Sequence, residues 1–184
     1  RGDESRGPSC FSPVYEVENW YRHGRTTFVD GEPVIITEKI HGMNFRAVYS
    51  SADAELFVGS HRRWLKEFIT EKPVSRWAAF LEWLGMRAPV LRKAECPWWK
   101  VLEKYPVVPA WCLAHPDVTL YGEIYGCVQD LKYGHRDDEI SLAVFDTFDS
   151  KSGQWVPPTH GSAAHSLLSR ILVPVISGTL YSEA

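Results

Sequence analysis

Apolar positions along this chain fall into two regimes: runs with strand character toward both ends, and a stretch with helical spacing between them. Pro33-Val34-Ile35-Ile36-Thr37 is β-branched and apolar, and after a short interval Phe45, Ala47 and Tyr49 alternate with Arg46 and Val48. Both read as strands, with Gly42 at the connection between them. Upstream, Val14 to Tyr21 mixes apolar and polar residues and reads as a strand or edge segment, followed by a loop through His23 and Gly24. Ala54 to Gly59 makes a third strand, which ends in a basic turn, Ser60-His61-Arg62-Arg63-Trp64. From Trp64 to about Tyr105 the spacing becomes three and four. Trp77, Phe80, Leu81 and Leu84 predict a helix with Ser75 as N-cap and Gly85 as its stop. A second short helix starts at Pro97 and carries Trp98, Val101, Leu102 and Tyr105 before Pro106 ends it. Six of the eight tryptophans lie between Trp64 and Trp111. An aromatic stripe at helical spacing is expected to be core, base stacking being the other use such a surface has.

Val118 to Gly126 predicts another strand, and Ile140 to Phe148 is so continuously apolar that a central strand is expected there. Trp155-Val156 reads as a short return strand after the turn at Ser150 to Gly153. Ser162 to Leu172 reads as an amphipathic helix with Leu167, Leu168, Ile171 and Leu172 on one face. Val173 to Ile176 opens a further element. No repeat, low-complexity tract or linker interrupts the pattern.

Composition narrows the class. With 184 residues, 45% hydrophobic and eight each of Trp, Tyr and Phe, the chain has enough apolar surface for one well-buried domain. A net charge of −3 offers no bulk attraction to nucleic acid, so a polyanion would have to be held by local patches such as His61-Arg62-Arg63. Cys10, Cys96, Cys112 and Cys127 lack C-x-x-C spacing, which argues against a zinc site and a disulfide framework and for reduced thiols. No apolar run is long enough to span a bilayer, and the first residues lack a signal-peptide core. The expected location is the cytoplasm, or the nucleus or a viral host's cytosol, and residues 1–13 are expected to form a flexible tail.

One stretch names a chemistry, Glu38-Lys39-Ile40-His41-Gly42-Met43-Asn44-Phe45. It displays Lys39 at a strand end, beside a glycine that permits close approach and an asparagine that donates hydrogen bonds. That combination suits an amine nucleophile facing a phosphate. Glu123, set between Gly122 and Gly126 in an apolar run, is a second candidate, because a carboxylate is costly to bury without a partner.

Taken in order, Glu38 to Phe45, Arg62, Tyr121-Gly122-Glu123 and Leu142-Ala143-Val144-Phe145-Asp146 resemble the adenylation domain of ATP-dependent RNA ligases. The nick-sealing phage RNA ligase 2 family is the nearest likeness. The resemblance implies an α+β nucleotidyltransferase fold, with antiparallel sheets flanked by helices around an ATP pocket. It implies that Lys39 attacks the α-phosphate of ATP and becomes adenylylated, while Glu38 and the main chain at Ile40 contact adenine. Asn44 would lie near ribose and phosphates, Arg62 or its neighbour Arg63 on the nucleotide, Glu123 on the ribose and Phe145 against adenine. Mg2+ or Mn2+ would accompany ATP, and AMP would pass to an RNA 5′-phosphate before a 3′-hydroxyl seals RNA ends or a nicked duplex.

Beyond residue 148 the family carries a Glu-Gly strand and a Lys-x-Lys strand, whereas the last lysine here is Lys151 and the only later glutamate Glu183. Residues 14–184 are therefore expected to match the first two thirds of an adenylation domain, with an apolar edge left exposed and little activity in isolation. A DNA ligase or a capping guanylyltransferase shares the lysine chemistry, and a noncatalytic nucleotide- or RNA-binding module would keep the pocket alone.

Overall fold

The computed structural model describes residues 3–71, 73, 75–156 and 168–181. In chain order its first elements are α1 Trp20–Thr27, β1 Pro33–Thr37, β2 Met43–Ser50, β3 Glu55–Gly59, β4 Trp64–Leu65, β5 Phe68–Thr70 and α2 Arg76–Trp83. They are followed by β6 Leu91–Lys93, α3 Pro97–Lys104, α4 Val107–Ala114, β7 Val118–Gly126, β8 Ile140–Asp149, β9 Gln154–Trp155 and β10 Val175–Leu180. Six strands form one antiparallel sheet in the order β4-β3-β2-β7-β8-β9, while β1 with β10 and β5 with β6 make two separate ribbons.

The alternation of a pleated strand sends Phe45, Ala47, Leu120 and Ile124 to one face of the large sheet. Asn44, Arg46, Tyr121 and Glu123 go to the other. Helices α3 and α4 cover the first face, where Val101, Leu102, Val108, Trp111 and Cys112 join Phe45, Ala47, Leu120, Leu142 and Val144 in the core. Each fully buried Leu, Val or Phe there contributes roughly 1.5–3 kcal/mol. Residues 4–13, expected as a tail, run across the second face. Ser5 N–H donates to the Trp64 carbonyl at 2.9 Å, Ser9 N–H to Asp53 at 2.7 Å, and the Tyr121 hydroxyl to the Pro13 carbonyl at 2.6 Å.

Ser75 caps α2 by accepting from Ala78 N–H, Gly85 follows it at φ +71°, and Pro97 opens α3, all as the sequence predicts. Four expectations change. Val14 to Tyr21 is not a strand: α1 begins at Trp20, and Thr26 and Thr27 turn their hydroxyls back onto the His23 carbonyl. The stretch from Trp64 to Tyr105 holds β4, β5 and β6 besides its helices, because strands of two or three residues are too short to show a period. The helical stretch does not stop at about Tyr105: Pro106 follows the end of α3 as expected, but a further helix begins directly after it. Pro106 is the N-cap residue of that helix, α4, and Pro109 stands in its first turn, where no N–H is needed. Finally, the aromatic stripe divides: Trp99 and Trp111 are core, whereas Trp77 and Trp83 of α2 are 66% and 78% exposed. Of the helix expected over Ser162 to Leu172, residues up to Leu167 lie outside the described residues, and Leu168 and Ile171 are buried in the core.

The β1–β10 ribbon leaves Ile35, Ile36, Val175, Ile176 and Leu180 exposed. Among the described residues no helix is long and apolar enough to cross a membrane.

The division of the tryptophans has a measurable consequence. Trp99→Ala is expected to cost about 3–5 kcal/mol of stability in urea unfolding, because it empties a core site. Trp77→Ala is expected to stay within about 0.5 kcal/mol of the parent.

Candidate functional site

Residues 38–42 carry the chain from the β1–β10 ribbon to the large sheet, and β1 and β2 do not pair. The lysine motif is therefore a bridge between two sheets rather than a hairpin turn. Its landing point is set by Gly42, where a Cβ would lie 2.1 Å from the Ile124 carbonyl oxygen, inside any allowed contact. Only glycine lets the chain pass so close to β7.

That approach brings the predicted residues together. Asn44 and Glu123 are direct register partners across β2 and β7, hence on one face. The Glu123 carboxyl accepts from Gly42 N–H and feels the charges of Lys39 and His41; burial outweighs these partners and raises its pKa. Lys39 and Glu38 are exposed, Ile40 is half-buried, and Glu38 N–H is tied to the Pro174 carbonyl at 3.0 Å.

Phe145 reaches the same face by an irregularity. Tyr121 pairs with Asp146 but Gly122 with Val144, so β8 carries one extra residue at Phe145. Such a bulge lets two consecutive side chains share a face. Val144 remains in the core, while Phe145 packs on Tyr15 at 4.8 Å and Asp146 meets the Tyr15 hydroxyl. Gly122, whose Cβ would come within 2.7 Å of the Ala143 carbonyl, fits the same tight crossing.

The expected arginine is the least settled member. Arg62 is 3.9 Å from Glu16 and Arg63 3.2 Å from Glu4, so both lean toward the N-terminal segment. Among the described residues neither is hydrogen-bonded to Asn44 or Glu123. The turn that holds them follows β3 at Gly59, the partner of Arg46, and so lies at the Asn44 end of the sheet.

Three contributions were not visible in the sequence. Arg46, two residues from Asn44 and on its face, is 3% exposed, with its guanidinium 4.1 Å from the Trp64 ring. Its alternation with Phe45 and Ala47 was the available signal. The loop after β7 clamps the motif, the Tyr133 hydroxyl accepting from His41 N–H at 2.7 Å and Gln129 Nε2 donating to the Gly42 carbonyl at 3.3 Å. Tyr15 lies against Phe145, Tyr121 and Trp155.

A cavity of about 540 Å³ lies elsewhere, lined by Cys96, Lys100, Cys127, Val128, Asp138 and Ile140 among others, and no motif residue lines it. The motif residues form an open face with chemistry, whereas this cavity has volume without convergent catalytic groups; the face is the better candidate. Among the described residues no three His, Cys, Asp or Glu side chains are grouped to hold a metal. A divalent ion accompanying ATP would therefore rest chiefly on the nucleotide's own phosphates.

A family model described as RNA ligase matches residues 32–184. No curated protein sequence matches the chain. Among solved structures, a Naegleria gruberi RNA ligase mutant with ATP and Mn is similar at TM-score 0.63 and 14% identity, covering 99% of this chain and 47% of that one. A Naegleria gruberi RNA ligase with PPi gives TM-score 0.63 at 14% identity over 97% and 45% of the two chains. A further mutant of that ligase with ATP and Mn gives 0.57 at 15% over 82% and 38%. At these identities the likeness is one of fold, and the chain spans less than half the length of the solved structures it matches.

Burial at the bulge predicts a pH dependence. The Asp146 carboxyl is pushed up to about 6 from 3.8, mainly by desolvation, against the opposing pull of Thr147 N–H and the Tyr15 hydroxyl. Between those values the folded chain keeps a proton that the unfolded chain has released, so this group's contribution falls as pH rises through the window. The stability difference between Asp146→Asn and the parent should therefore grow by roughly 2–3 kcal/mol from pH 4 to pH 7 in urea titrations.

Proposed function

Because the chain belongs to the RNA ligase family, we propose that its sheet face carries the lysine nucleotidyl transfer of an ATP-dependent RNA ligase. The observation that carries this reading is the convergence of Lys39, Asn44, Glu123 and Phe145, imposed by the Gly42 approach and the β8 bulge. In this reading adenine lies against Phe145 and is bordered by Tyr15, and Glu38 and the main chain at Ile40 contact its edge. Glu123 accepts from the ribose hydroxyls, Asn44 donates toward ribose and phosphates, and Arg62 or Arg63 adds charge. Burial raises the pKa of Glu123 despite its hydrogen bond from Gly42 N–H, and two ribose hydroxyls would add donors that favour the carboxylate.

The first step forms a bond between Lys39 Nζ and the α-phosphorus of ATP and breaks the bond to pyrophosphate. Before it, the ammonium gives up one proton; in the phosphoramidate the nitrogen has lost another. An oxygen of an RNA 5′-phosphate then displaces lysine from the AMP phosphorus, and a 3′-hydroxyl displaces AMP to form the phosphodiester. A divalent ion, Mg2+ or Mn2+, would supply charge neutralisation on the departing pyrophosphate. RNA ends or a nicked duplex are the proposed substrate and the cytoplasm the proposed location, in keeping with four free cysteines.

Intact-mass analysis after incubation with ATP or GTP and a divalent metal tests the reading. An AMP adduct that disappears in Lys39→Ala, in a variant with the parent's unfolding curve, is the expected outcome. A GMP adduct points to capping chemistry. An AMP adduct that persists at full yield in the variant overturns the assignment of Lys39.

A further inference from the structure

The residues that bridge the ribbon and the large sheet carry the candidate nucleophile, and burial does not hold them: Glu38, Lys39 and His41 are exposed and Ile40 is half-buried. Their course is set from outside. Glu38 N–H is tied to the Pro174 carbonyl at 3.0 Å on the ribbon side. On the sheet side the Tyr133 hydroxyl accepts from His41 N–H at 2.7 Å, and Gln129 Nε2 donates to the Gly42 carbonyl at 3.3 Å. Lys39 lies between these ties. Water would satisfy an exposed N–H such as that of His41, so the phenol adds little net stability. What it adds is a fixed position for the chain two residues past the lysine.

The phenol is itself firmly placed. Tyr133 has φ +51° and Gly134 after it φ +80°, so the backbone enters the left-handed region twice in succession, a costly conformation for an aromatic residue. Its ring stands edge-on to Tyr125 at 5.3 Å and 77°, and Tyr125 stands edge-on to His135 at 5.3 Å and 80°. His135 is pinned at both ring nitrogens, Nδ1 lying 2.9 Å from the Lys132 carbonyl and Nε2 2.8 Å from Ser141 Oγ. Because the carbonyl can only accept, Nδ1 carries the proton toward it. Ser141, on β8, accepts from Lys104 Nζ of α3 at 3.3 Å, and the same amine donates to the Ile140 carbonyl at 2.7 Å. A line of contacts thus runs from α3 and β8 through His135, Tyr125 and Tyr133 to the backbone beside Lys39.

We propose that Tyr133 is a positioning residue for the nucleophile: through His41 N–H it holds the bridge so that Lys39 Nζ meets the α-phosphorus in line, without itself touching the nucleotide. Its effect on rate rests on the ligase reading; the clamp rests on the hydrogen bonds and ring contacts. A small displacement of a reacting group lowers the rate more than it lowers binding, because binding is spread over many contacts whereas bond formation depends on one geometry.

Tyr133→Phe tests this, since it keeps the ring on Tyr125 and removes only the hydroxyl. AMP-adduct formation by the whole chain is followed by intact mass over a range of ATP concentrations with Mn2+. The variant is expected to lower the limiting rate by at least about tenfold, with half-saturating ATP and the urea unfolding curve as in the parent. Amide hydrogen exchange gives a readout independent of the chemistry: the His41 amide should exchange faster in the variant, and the amides of β7 as in the parent. An unaltered limiting rate overturns the proposal, whether or not half-saturating ATP rises, and so does a His41 amide that exchanges as in the parent. Faster exchange at His41 in a chain whose parent forms no AMP adduct supports the clamp and removes the ligase reading. An adduct formed by the variant at the parent's rate does the reverse.

Discussion

Gly42 passes so close to β7 that a methyl group in its place would sit 2.1 Å from the Ile124 carbonyl oxygen, and the geometry of the site follows from that approach. The β1–β10 ribbon and the large sheet are separate, and the five residues between β1 and β2 must cross from one to the other. Pressing Gly42 onto the end of β7 aims its N–H at the Glu123 carboxyl and holds Lys39 within reach of the same charge. The loop beyond β7 closes over the crossing through Tyr133 and Gln129. A side chain at position 42 would lift the motif off the sheet and separate Lys39 from Asn44 and Glu123.

A second departure from regular geometry completes the arrangement. A strand with uniform alternation would send one of two neighbouring residues into the core. The bulge at Phe145 keeps Val144 under the helices and turns both Phe145 and Asp146 outward. The cost is a carboxyl desolvated beside Tyr15, whose own hydroxyl is pushed up to about 12 by the same burial. Functional faces commonly tolerate such local expense, and the large core on the opposite side of the sheet supplies the stability that permits it.

Elements long enough to show a period were legible in the sequence: β2, β7, β8, and α2 with its Ser75 cap. The candidate residues Lys39, Asn44, Glu123 and Phe145 stood out because they follow a family's order, and Asn44 and Glu123 lie opposite each other across β2 and β7. What escaped depended on tertiary context. Strands of two and three residues carry no period, Pro106 looks the same as a stop and as an N-cap, and α4 has no polar face to reveal it. The ring spacing in α2 looks identical whether a helix is buried or bare; the sequence pattern cannot say which face has a partner. Arg46 was hidden for the opposite reason, since an arginine alternating with apolar residues ordinarily faces water, and here it lies under the N-terminal segment against Trp64.

Two places in the molecule compete for a nucleotide: the face that Gly42 assembles and the cavity of about 540 Å³ beside Cys96 and Cys127. A crystal structure of the chain grown with ATP and Mn2+ decides between them. The account predicts adenine against Phe145, ribose hydroxyls on Glu123 and the α-phosphorus bonded to, or directly facing, Lys39 Nζ. A nucleotide lodged in the cavity lined by Cys96 and Cys127, with Lys39 turned to solvent, would contradict it.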